Sequence, residues 1–150
     1  MRLKGLVVFP LFATSALALW PIPRQLNTGS TPLLLSNLFA IDLRDVERPP
    51  EDLKQAMART QVQLKNDNLE RLVVGRGAAD APSLVGAKTL RTLKVSLGPN
   101  FDAAKGLASI SEEATKPIDE RNEGYNLTIP ADGSDATLTA SSALGLVKFV

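Results

Sequence analysis

The chain has 150 residues, with 17 basic and 16 acidic side chains, no cysteine and no histidine. These absences exclude disulfides, thiolate nucleophiles, histidine acid–base catalysis and the usual zinc ligand sets, so no metal or other cofactor is predicted. The balanced charge has no long basic block, which argues against nucleic acid and anionic membrane surfaces as partners. The length fits one domain with one core.

The first 18 residues have the pattern of a secretion signal. Arg2 and Lys4 precede an almost wholly apolar stretch over residues 6–17, and Ala16 and Ala18 are small residues suited to signal peptidase. A membrane anchor is the alternative, but a stretch of about a dozen residues is shorter than the roughly 20 that a membrane span needs. We expect cleavage after Ala18 and a secreted, extracellular protein, whose charge is close to neutral.

The next segment predicts an extended arm and two short strands. Pro21 and Pro23 favour extended backbone over residues 19–24, with Trp20 as the anchor of the arm. Residues 32–36 and 39–43 are apolar runs separated by a polar corner. They are predicted to form a hairpin or meander.

An amphipathic helix is predicted over residues 50–66. Pro50 suits a first helical turn, and the two acids that follow it favour the helix N-terminus. Leu53, Met57, Leu64 and then Leu72 recur at roughly helical spacing, a stripe better explained by core packing than by a partner site. Residues 75–79 contain two glycines but lack the rest of a phosphate-binding motif, so they are interpreted as a flexible turn.

Three strands follow in the second half. A strand is predicted over residues 90–97, an irregular connection over 101–110, and a hairpin from residues 125–130 and 136–140 around the Asp132–Gly133 step. Asn126 begins an Asn-Leu-Thr sequon and is a candidate for N-glycosylation; the alternative is an unmodified strand asparagine.

Together these elements predict an α+β fold, with a mostly antiparallel sheet and an amphipathic helix packed on one face. Residues 142–150 begin another apolar helix. Two helical turns are too short to be stable alone, so this end should fray unless the sheet holds it.

Four segments in the same order resemble the non-catalytic N-terminal domain of fungal β-N-acetylhexosaminidases of glycoside hydrolase family 20. They are residues 19–23 (LWPIP), 69–77 (LERLVVGRG), 123–140 (EGYNLTIPADGSDATLTA) and 142–146 (SALGL). The resemblance covers residues 19–147. It implies a signal peptide at 1–18, a zincin-like but metal-free domain at 19–141, and at 142–150 the truncated start of the helix that leads to a catalytic barrel.

The resemblance also implies a chemistry and a partner. Family members remove terminal N-acetylhexosamine from chitin oligomers and glycans by a substrate-assisted retaining mechanism, using an Asp-Glu pair on a (β/α)8 barrel. A barrel takes about 200 residues or more, so we expect it to be absent here and assign no catalytic residue. The absent barrel is the expected partner, and the oligomeric state is left open.

The adjacent acids Asp119 and Glu120 lack the histidine and glycines that flank the family's catalytic pair, and they are interpreted as a solvated charge cluster. Two hypotheses remain for the chain. The first is an accessory domain, a fragment of a secreted hexosaminidase that is inactive by itself. The second is a stand-alone secreted interaction or glycan-binding module, although one Trp and one Tyr are few aromatics for a lectin.

Overall fold

The computed structural model describes residues 23–67 and 82–148. The predicted signal peptide, Trp20, Leu72, the 69–77 segment, the glycine turn at 75–79 and the last two residues lie outside the described residues. Eight elements have both ends within the described residues. They are β1 (Leu33–Asp45), α1 (Glu51–Asp67), β2 (Lys88–Leu97), α2 (Ile110–Thr115), a 3-10 turn (Ile118–Glu120), β3 (Tyr125–Thr128), β4 (Ala136–Ala140) and α3 (Ala143–Lys148).

The four strands form one open mixed sheet in the order β1-β2-β4-β3. β1 pairs with β2 and β2 pairs with β4 in parallel, and only β3 and β4 pair antiparallel. The α+β class is therefore correct, but the prediction of a mostly antiparallel sheet was wrong. The physical reason is the crossover: a strand–helix–strand connection returns the chain in the same direction, so β1 and β2 run parallel.

β1 replaces the two short strands that the sequence predicted. The polar corner at Asn37 and Leu38 does not reverse the chain, and both residues lie within the single strand. Instead the register with β2 shifts between Leu35 and Ala40, and the Ser36 hydroxyl accepts a hydrogen bond from the Leu38 N–H at 3.1 Å. A local irregularity of this kind bends a strand without ending it.

The core lies on one face of the sheet, beneath α1 and α3. The predicted stripe of α1 is confirmed, since Leu53 and Met57 are buried and Leu64 is partly buried. Buried residues from α1, β2, β4 and α3, together with Val46 just after β1, form a single cluster: Val46, Leu53, Met57, Leu90, Leu93, Val95, Ala136, Leu138, Ala140, Ala143 and Leu146. In the part of the chain described, no helix has the length and apolar character that a membrane span requires.

α2 begins where an irregular connection was predicted. That prediction holds for residues 101–109 and fails at Ile110. Ser109 and Glu112 form a capping box, in which the Glu112 N–H donates to the Ser109 hydroxyl at 3.1 Å and the Ser109 N–H donates to the Glu112 carboxylate at 2.9 Å. The Ser111 N–H also donates to Asp52 at 3.1 Å, which ties α2 to the start of α1.

The predicted hairpin is confirmed. β3 and β4 pair antiparallel, with Tyr125 opposite Ala140 and Thr128 opposite Thr137. In the connection, the Ser134 N–H donates to Asp132 at 2.9 Å, and Gly133 has a φ of 78°. That positive φ explains the glycine of the Asp-Gly step.

Candidate functional site

The outer face of the sheet, opposite the core, carries polar side chains in rows. Residues directly opposite one another in neighbouring strands point to the same side, so the strand registers define rows across the sheet. Two rows of this outer face cross all four strands, and beside the first of them the exposed Ala40 lies opposite Thr92. The first contains Asp42, Lys94, Thr137 and Thr128, and the second contains Asp45, Ser96, Thr139 and Asn126.

Two ion pairs organise the charges of the outer face. Arg44 contacts Asp42 through its Nε, 2.8 Å from Asp42 Oδ2, and through its Nη2. Lys94 Nζ lies 2.9 Å from the Asp135 carboxylate. Asp42 and Lys94, the two charged residues of the first row, therefore each have a partner of opposite charge.

These pairs hold the acids in their ionised form. Hydrogen bonds from Arg44 lower the pKa of Asp42 to about 2, and a hydrogen bond from Lys94 lowers the pKa of Asp135. Conversely, Asp135 raises the pKa of Lys94. Asp42 and Asp135 are therefore compensated charges rather than sources of protons near neutral pH.

Two further carboxylates are shifted in the same direction. Backbone and side-chain hydrogen bonds from Ser109 lower the pKa of Glu112, and those from Ser134 lower the pKa of Asp132. The general acid of a glycosidase needs a raised pKa, so that it carries a proton at working pH. Asp42, Asp135, Glu112 and Asp132 are unsuited to that role.

Two hollows lie side by side at the irregularity in β1. One, of about 260 Å³, is bounded by residues 36–40 of β1 and by Gln61, Leu64 and Lys65 of α1. The other is lined by residues 34–38 and Thr89. Neither has a carboxylate in its lining, so neither can hold a sugar between two acids.

The adjacent acids Asp119 and Glu120 lie in the 3-10 turn, and both are exposed. Arg121, which follows them, donates instead to the Lys116 carbonyl at 2.7 Å. The structure therefore does not bring the pair to either hollow. Across residues 23–67 and 82–148, no group of three or more acidic, histidine or cysteine side chains is arranged to hold a metal ion.

Asn126, the candidate glycosylation residue, is exposed on β3, which is an edge strand of the sheet. Its neighbour across the pair is Thr139, so its side chain belongs to the outer face. Thr128, the third residue of the sequon, is exposed on the same face. The two residues that define the sequon, Asn126 and Thr128, therefore lie on the surface of the folded domain.

α3 is held tightly against the loop before β3. The Ser142 hydroxyl donates to the Asn122 carbonyl and accepts from the Gly145 N–H at 2.9 Å. Lys148 at the end of α3 pairs with Glu123 at 2.5 Å. The sheet and this loop thus supply the support on which the stability of residues 142–148 was expected to depend.

The contacts between α3 and the loop before β3 were not predicted from the sequence. Gly145 is a glycine inside a helical pattern, a signal that often marks close packing. The pairs Asp42–Arg44 and Lys94–Asp135 were also missed. The second pair joins residues distant in sequence, and no local pattern indicates it.

Comparison with known proteins adds one finding. A family model described as beta-acetyl hexosaminidase like matches residues 19–148. The match ends with α3 and includes every element of the described fold. Searches of curated proteins and of solved structures found no match.

Proposed function

Because the chain belongs to the beta-acetyl hexosaminidase-like family, as an N-terminal domain of glycoside hydrolase family 20, we propose that it is the accessory domain of a secreted hexosaminidase. The observation that carries the proposal is the extent of the match, which takes in residues 19–148 of the chain. The domain contributes no catalytic residue of its own. Its partner is the (β/α)8 barrel of the enzyme.

The enzyme of which this domain is part would remove terminal non-reducing N-acetylhexosamine from chitin oligomers and glycans. In this reaction one carboxylic acid protonates the leaving oxygen, and a neighbouring aspartate orients the acetamido group of the substrate, which acts as the nucleophile. Two observations support placing these steps on the barrel. The hollows at β1 have no acidic lining, and the shifted carboxylates of this domain have lowered pKa values.

Co-purification with a barrel tests the partnership. A family 20 catalytic barrel would be expressed alone and together with residues 19–150, and complexes would be sought by size-exclusion chromatography. We expect co-elution and a higher thermal midpoint for the barrel in the complex, because a ligand of the folded state stabilises it. Separate elution with an unchanged midpoint would contradict the accessory role.

Secretion is tested separately. The full chain would be expressed in a eukaryotic host, and the N-terminus of the protein in the medium would be sequenced. The pattern at Ala16 and Ala18 leads us to expect Leu19 as the first residue. Retention of the chain inside the cell with Met1 in place would contradict secretion.

A stand-alone secreted interaction or glycan-binding module is the second candidate. It is favoured by the way in which α3 completes the core, since Ala143 and Leu146 are fully buried within this domain. A domain with a closed core can fold without a barrel. The co-purification experiment separates the two candidates, because a stand-alone module has no need to bind the barrel.

A further inference from the structure

The outer face of the sheet combines three properties. It is polar in both rows, the charges of the first row are paired within the domain, and it includes the asparagine of the sequon. The core of a protein–protein interface is usually apolar, and neither row has an apolar side chain. The outer face is thus poorly suited to an apolar protein partner or to a charged ligand.

A neutral, hydroxyl-rich ligand fits these properties better. Thr137, Thr139 and Ser96 present hydroxyls that donate and accept hydrogen bonds. Lys94 is about half exposed and carries further donors next to Thr137. An oligosaccharide can bond to such groups without disturbing the ion pairs.

Such a ligand has its attachment point on the outer face itself. Asn126 ends the second row at the β3 edge, and the row continues through Thr139 and Ser96 to Asp45. Four strands spaced about 4.8 Å apart span roughly 14 Å from the first to the last. The first few sugars of an N-linked glycan can cover that distance.

We propose that an N-linked glycan on Asn126 lies back across the outer face of the sheet and shields it from solvent. This inference rests on the proposed secretion, because N-glycosylation takes place on chains that enter the secretory pathway. Covalent attachment keeps the sugars at high local concentration, so individually weak hydrogen bonds to the threonines suffice. The glycan then forms the outer layer of a sheet whose other face is covered by helices.

The test compares the chemical reactivity of two lysines in the full chain secreted from a eukaryotic host. Lys94 lies on the outer face, and Lys54 lies on α1, where it is also about half exposed. Peptide mapping first establishes whether Asn126 carries a glycan. Acylation rates of both lysines are then measured before and after enzymatic removal of the glycan from the folded protein.

We expect removal of the glycan to increase the acylation rate of Lys94 several-fold and to leave that of Lys54 unchanged. Thr128→Ala, which destroys the sequon, should give the fast rate, and Thr128→Ser, which keeps it, the slow rate. The enzymatic comparison remains decisive if Thr128→Ala fails to fold. A glycan on Asn126 with equal Lys94 rates in both forms would overturn the proposal.

An unmodified Asn126 in secreted protein would overturn it as well. Neither result bears on the accessory role, which depends on co-purification with the barrel. Failure of this inference and failure of the proposed function are therefore distinguishable.

Discussion

Gly145 in α3 lies so close to Gly124 that a Cβ atom at position 145 would be 2.6 Å from the Gly124 carbonyl oxygen. The same atom would be 3.0 Å from the Ala140 side chain and 3.3 Å from the Ser142 hydroxyl. Only a glycine allows α3 to approach the β3 loop this closely. The contact makes the six-residue helix α3 part of the domain rather than a free end.

Gly145→Ala should therefore destabilise the domain although alanine is the better helix former. Overpacking costs about 1–3 kcal/mol, whereas the gain in helix propensity is about 1 kcal/mol, so we expect a net loss of about 1–2 kcal/mol. Urea unfolding of the full chain measures the difference. Gly29→Ala is the control, because nothing lies within 4 Å of its Cβ position. An alanine variant at 145 as stable as wild type would show that the close approach is absent.

A substitution at Leu146 provides a second test of how α3 packs on the core. Its side chain is fully buried, and truncation to alanine should lower the free energy of unfolding by about 2–5 kcal/mol. Leu38→Ala makes the same chemical change at a side chain that is 87% exposed, and should alter stability by about 0.5 kcal/mol or less. Equal effects of the two variants in thermal or urea unfolding would mean that α3 does not pack on the core.

Local signals in the sequence were enough to predict α1 and the final hairpin. Leu53 and Met57 follow the helical period, and the Asp132–Gly133 step supplies the positive φ that the turn needs. Strand direction was not predictable in this way. Whether β1 pairs with β2 in parallel depends on the crossover through α1, which no pattern within either strand records.

One helix of the described fold, α2, was missed. α2 has a recognisable signal, the capping box of Ser109 and Glu112, hidden in a run of small residues. α3 lies within the helix predicted from residue 142 onward, although a helix of its length gains its stability from packing. In the candidate site, the sequon indicated Asn126 directly. The Lys94–Asp135 pair could be found only from the fold.

The Asp42–Arg44 pair predicts a pH dependence. The pKa of Asp42 is about 2 in the folded protein and about 3.9 in an unfolded chain, so the folded state binds this proton less readily. The pair therefore stabilises the fold above about pH 4, and its contribution disappears as the pH falls towards 2. Carboxyl NMR titration of Asp42 measures the folded pKa directly.

Arg44→Gln should move the Asp42 pKa upward, because it removes the hydrogen bonds that hold the carboxylate ionised. Lys105→Gln is the matched control, since Lys105 pairs with Asp102 instead. If Asp42 titrates at the same pH in wild type and Arg44→Gln, the arginine is not the cause of the shift.

Gly133 combines a positive φ with a close contact. A Cβ at this position would lie 2.8 Å from the Lys88 Cβ at the start of β2. Gly106 also has a positive φ, of 69°, but has open space around it. Gly106→Ala should cost the backbone strain alone, about 1–2 kcal/mol, and Gly133→Ala should cost about 1–3 kcal/mol more. Urea unfolding of both variants measures the additional cost of this contact. Equal losses in the free energy of unfolding would show that position 133 does not lie against Lys88.

Hydrolysis of nitrophenyl N-acetylglucosaminide by the purified full chain shows whether this domain is active by itself, with an active family 20 hexosaminidase as the positive control. We expect nitrophenol release equal to that of buffer, because the described hollows have no acidic lining and Asp42 and Asp135 are held ionised. Saturable release that persists through repurification of the chain would contradict this expectation.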